Sequence, residues 1–169
     1  MDATQLQQQI TEVFDHFSKL LSQLSEEILN NPPKQGSWTI GQLAQHVTLA
    51  TSGLPDTQTR PAERKPDELE PAIKEIFLNF EKKAISPEFI SPEKKIYKKD
   101  SLLEELQQNK ISLLKSIKEK EMSDLCMDME LPGLGKLTRY EWIKLVIYHV
   151  QRHTVQLKKL KQSFEKASI

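Results

Sequence analysis

Eight of the nine prolines lie between Pro32 and Pro92. Proline lacks the amide hydrogen that an interior helical position needs and clashes with the preceding turn, so it confines long helices to the segments it avoids. Two such segments flank the proline-rich region. In the first, Leu6, Ile10, Val13, Phe14, Phe17, Leu20, Leu21, Leu24 and Ile28 recur at steps of three and four with no Pro or Gly between them. This pattern predicts one amphipathic helix over about residues 3 to 30, stopped by Asn30-Asn31-Pro32-Pro33. In the last segment, Thr138-Arg139-Tyr140-Glu141 has the spacing of a capping box and opens a helix over about 139 to 164. Lys158, Lys159 and Lys161 near its end suit the negative pole of a helix dipole.

Between them, Thr39-Ile40-Gly41-Gln42 is a second capping box, opening a helix that Gly53-Leu54-Pro55 ends. Residues 54 to 71 hold Pro55, Pro61, Pro66 and Pro71 and read as a long connection crossing the outside of a bundle. A shorter helix over 72 to 84 carries Ile73, Ile76, Phe77 and Phe80, and residues 85 to 99 read as irregular. Asp100 or Ser101 is expected to cap a helix to about Lys120, with Leu103, Leu106, Leu113, Leu114 and Ile117 towards the core. Residues 122 to 137, with Pro132, Gly133 and Gly135, read as a loop with room for a short hairpin. No stretch alternates convincingly as a strand. The expectation is one all-α domain over residues 1–169, a four-helix bundle with a long crossover connection.

The chain has 24 basic and 24 acidic side chains, a formal net charge of zero, which argues against a nucleic-acid partner. With 37% apolar and 28% charged residues the composition is that of a globular protein. No apolar run approaches the roughly 18 residues that span a bilayer, so no membrane partner is expected. The single Cys126 forms no intrachain disulfide, and the N-terminus lacks a signal-peptide pattern. A cytoplasmic location is expected by default.

The histidines carry the chemistry. On the last helix His153 stands about 40° from His149, and Trp142, Val146 and Leu160 share that sector at about 100° per residue. Both imidazoles thus fall within the apolar stripe, and His46 lies on the Leu43 and Ala50 side of the second helix. An unpaired buried polar group costs about 1–3 kcal/mol. Two such rings one turn apart therefore need partners. Separate bonds to carbonyls or carboxylates would serve. So would one metal ion held by the i, i+4 pair, with His46 as a third donor. No Asp or Glu shares the stripe. His16 reads as a boundary or surface residue, Cys126 has no neighbouring base, and Lys94 to Lys99 read as solvated surface. Trp38 and Trp142 read as packing residues, Trp142 also as a wall of the pocket. No P-loop, dinucleotide glycine turn or Cys-x-x-Cys is present.

The segment Trp38-Thr-Ile-Gly-Gln-Leu-Ala-Gln-His46 resembles the second-helix segment of the DinB/YfiT-like superfamily. Leu137-Thr138, Glu141, His149, His153 and Gln156 resemble its fourth-helix signature. The resemblance implies a four-helix bundle, dimeric in many members, with His46, His149 and His153 binding a divalent metal ion. Zinc or nickel is expected ahead of manganese or iron. It also implies a small-molecule substrate. The activity it suggests is transfer of a low-molecular-weight thiol to an electrophile, with Gln156 supporting His153. Metal-dependent hydrolysis and a non-catalytic metal-binding or stress-response role are the alternatives. The catalytic residues beyond the metal ligands stay unassigned.

Overall fold

A computed structural model describes residues 2–33, 37–81 and 87–167. The helices are α1 (Ala3–Ser22), α2 (Glu26–Asn30), α3 (Ile40–Ala50), α4 (Glu70–Leu78), α5 (Lys99–Glu119) and α6 (Arg139–Ala167). α1 and α3 each pack against both α5 and α6, which closes a ring of four helices, and α4 lies along α6. Phe14, Phe17, Leu21, Ile40, Leu106, Leu113, Ile143 and Ile147 fill its middle. The chain is all-α apart from one small sheet. No described helix is long and apolar enough to cross a membrane.

The predicted first helix is broken in two. Leu24 N–H bonds back to Leu21, and Ser25 Oγ accepts from Ile28 N–H at 3.2 Å. Serine competes for backbone hydrogen bonds and favours starting a helix over continuing one. The apolar period survives the break because Leu24 and Leu29 are both buried. α5 begins one residue before the expected cap. Its N-cap, Lys98, makes no side-chain cap bond, and Glu26 of α2 reaches across to accept from Lys99 N–H at 3.3 Å. α4 starts at Glu70 and ends at Leu78, with Ile73 buried and Phe77 half-buried, while Ile76 and Phe80 face outward. Residues 82–84 of the predicted helix lie outside the described residues.

β1 (Thr59–Pro61) pairs antiparallel with β2 (Asp124–Cys126), Arg60 opposite Leu125. A strand at 59–61 was not expected, whereas β2 and the turn after it fall in the 122–137 stretch that had room for a hairpin. Three-residue strands are too short to show alternation. The segment after β2 folds back on itself, with Leu131 paired to Gly135 and Leu125 to Thr138. Gly133 and Gly135 take φ of 83° and 77° in this turn, the region where a Cβ is costly.

The 54–71 connection is clasped to the start of α6. Glu141 is fully buried; its carboxylate takes both Arg64 nitrogens at 2.7 Å, Leu69 N–H at 2.8 Å and Thr138 N–H at 2.9 Å. Thr138 Oγ1 accepts from Glu141 N–H in return, completing the predicted capping box. Asp56 in the same connection pairs with the buried Arg139 at 2.7 Å and with Lys120 at 2.9 Å.

Candidate metal centre

α3 and α6 bring His46, His149 and His153 together. The capping box Thr39–Gln42 forms in both directions, Gln42 N–H to Thr39 Oγ1 at 3.1 Å and Thr39 N–H to Gln42 Oε1 at 3.0 Å. It sets the phase of α3, which packs the His46 face against α6. All three rings are buried, with 3%, 8% and 7% of their surface exposed. His149 Nε2 lies 3.1 Å from His46 Nε2 and 3.0 Å from His153 Nε2.

Two of the rings are turned by partners on their far side. His46 Nδ1–H donates to the Ile90 carbonyl at 2.8 Å, and His153 Nδ1–H donates to Gln156 Oε1 at 2.6 Å. With those protons on Nδ1, both Nε2 atoms present lone pairs to the centre. One proton on His149 Nε2 cannot point well at two acceptors, whereas a cation satisfies all three nitrogens. Two imidazoles bound tetrahedrally at about 2.0–2.1 Å from one ion stand about 3.3–3.4 Å apart. The observed spacings are a few tenths of an ångström shorter, so the donor set fits a shared divalent ion. Among the described residues the cluster of candidate ligand atoms is these three histidines and contains no carboxylate.

Burial keeps the rings uncharged. It lowers His46, against which the Ile90 bond works in the other direction. It holds His149 well below its ordinary value, helped by the neighbouring His153, His46 and Arg152. It brings His153 down to about 3, aided by His46 and Arg152 and opposed by the Gln156 bond. Unfolded imidazoles take up protons as pH falls through about 6.5, while the folded ones resist. Acid therefore favours the unfolded chain. The histidines' contribution is intact above about pH 6.5 and is lost as pH falls towards 3. The metal-free protein is expected to lose about 2 kcal/mol through His153 alone between pH 7.5 and 5, with further loss through the other two. Urea unfolding at the two pH values checks this. A His153→Leu variant should show a shallower dependence.

Aromatic rings wall the centre. Trp38 stacks at a tilt on His46, centroids 5.0 Å apart, and Phe77 of α4 meets His149 edge-on at 5.6 Å. Sequence reasoning missed Phe77 in this role; Trp142 packs in the core as expected, with Nε1 lacking a hydrogen-bond partner among the described residues. It also missed Arg152, whose buried guanidinium donates to the carbonyls of Phe77 and Asn79 at the end of α4. The only hint was a charge between two core-facing histidines. His16 is exposed and away from the cluster. Cys126 is buried in β2, where burial pushes its thiol up to about 11, unsuited to nucleophilic attack. A groove of about 470 Å³ between α3 and α5 is lined by Thr48, Leu49, Ser52, Glu104 and Asn109 and contains none of the histidines.

The architecture and the cluster define a helical bundle with a three-nitrogen centre suited to a divalent ion. Residues 9–157 match the DinB superfamily, and the chain belongs to it. The chain is 24% identical over 150 residues to "Uncharacterized protein YuaE" of Bacillus subtilis (strain 168), covering 87% of this chain and 91% of that protein. No solved structure matches.

Proposed function

We propose that the protein is a metal-dependent enzyme in which His46, His149 and His153 hold one divalent ion, zinc or nickel ahead of manganese or iron. Its reaction in this reading is transfer of a low-molecular-weight thiol to an electrophilic small molecule. The observation that carries the proposal is the convergence of three buried, neutral imidazoles on one point through their Nε2 atoms. An ion bound there supplies Lewis acidity that draws the pKa of a thiol or water towards neutrality.

The chain's own residues support this in distinct ways. Ile90 and Gln156 orient two of the ligand rings. Trp38 and Phe77 present apolar faces beside them, which exclude water and suit the carbon skeleton of a substrate. Arg152 adds positive charge next to the rings and favours an anionic ligand over a neutral one. Among the described residues the cluster offers no carboxylate as a general base. A homodimer in the cytoplasm goes with this reading.

The test is turnover by tag-free protein loaded with zinc or nickel, using a panel of thiols and electrophiles beside plain esters and amides. Thiol-dependent product, lost in His153→Ala, is expected. Turnover without thiol would make the protein a hydrolase. No turnover of either kind by fully loaded protein would leave a binding module.

A further inference from the structure

The side of α3 next to His46 grips a segment with little regular structure. Gln45 is 8% exposed, and its Oε1 accepts from Glu93 N–H at 2.7 Å and from the Tyr97 hydroxyl at 2.5 Å. The same hydroxyl also contacts the Glu93 carbonyl. Asn30 of α2 clamps the Tyr97 backbone, accepting from its N–H at 2.7 Å and donating to its carbonyl at 3.0 Å. The Tyr97 ring lies against Gly41, where a Cβ would stand 2.6 Å from Tyr97 Cδ2, so no larger residue fits. Upstream in the same segment, a single helical turn, Glu88–Ile90, delivers the carbonyl that accepts from His46 Nδ1–H.

We propose that Gln45 and Tyr97 are positioning residues of the metal centre. They pin the 90–97 segment to α3, so that the Ile90 carbonyl holds His46 with Nε2 turned to His149 and His153. The proposal rests on the reading that the three histidines share an ion. A carbonyl at Nδ1 fixes the tautomer and the ring plane and strengthens the other nitrogen as a donor. Losing such support costs about 10–100-fold in metal affinity. The effect is local to His46, because His153 is oriented separately by Gln156.

The test compares wild type, Gln45→Met, Tyr97→Phe and the double variant. Zinc affinity is read by chelator competition, and the ring tautomers of the metal-free proteins by long-range proton–nitrogen spectra. Wild type should bind one zinc per chain and show His46 with its proton on Nδ1. Gln45→Met should bind about 10-fold or more weakly and show a mixture of His46 tautomers, with His153 unchanged. Tyr97→Phe, which keeps the packing on Gly41, should shift in the same direction by less. The double variant should bind little worse than Gln45→Met, since both act through one segment. If wild type takes up no zinc, the three-histidine reading fails and this proposal falls with it. If wild type binds zinc and both variants bind it as tightly with a single His46 tautomer, the proposal alone is overturned, even should their melting temperatures fall.

Discussion

A His149→Ala chain, purified without an affinity tag, is expected to retain no stoichiometric divalent ion after dialysis. His149 is the hub of the cluster, since its Nε2 lies 3.1 Å and 3.0 Å from the other two Nε2 atoms. Removing it leaves two donors on different helices with no carboxylate in the cluster to replace the third. The loss should exceed the roughly 10–100-fold that removing a supporting hydrogen bond costs, because a ligand itself is gone. His153→Ala should behave alike. Elemental analysis and calorimetric titration read the effect, and unchanged loading would reject these ligands.

The second large effect is expected far from that centre. Glu141→Ala should destabilise the fold by about 1–3 kcal/mol, the cost of leaving buried hydrogen-bond donors unsatisfied. Glu141 has no exposed surface and ties together the 54–71 connection, the start of α4 and the start of α6. Alanine at this position strands the N–H groups of Leu69 and Thr138 and removes the carboxylate partner of Arg64, which keeps its bonds to the Lys65 and Lys136 carbonyls. It also deletes half of a capping box. Urea unfolding of the metal-free protein at pH 7.5 checks it, and a loss below about 1 kcal/mol would mean that solvent takes over those partners.

Local chemistry made much of this readable from the residues. The capping boxes at Thr39 and Thr138 form as their spacing implies, and with the helix phase fixed, the angular positions of His149 and His153 follow. Features made by distant partners were hidden. Glu141 reads as a cap alone, because Arg64 lies 77 residues away. The start of α5 depends on Glu26 from another helix, so the local candidates Asp100 and Ser101 misled. The partner of His46 is a main-chain carbonyl, which any residue at position 90 would supply and no sequence pattern marks. On α4, periodicity names Ile73, Ile76, Phe77 and Phe80 alike. Packing on α6 then buries only part of that stripe and sets Phe77 against His149.

Anomalous diffraction from crystals of the zinc-loaded protein tests the shared centre most directly. One peak is expected per chain, about 2.0–2.1 Å from Nε2 of His46, His149 and His153 together. A fully loaded protein with its peak elsewhere, or bound to only one of these rings, would contradict it.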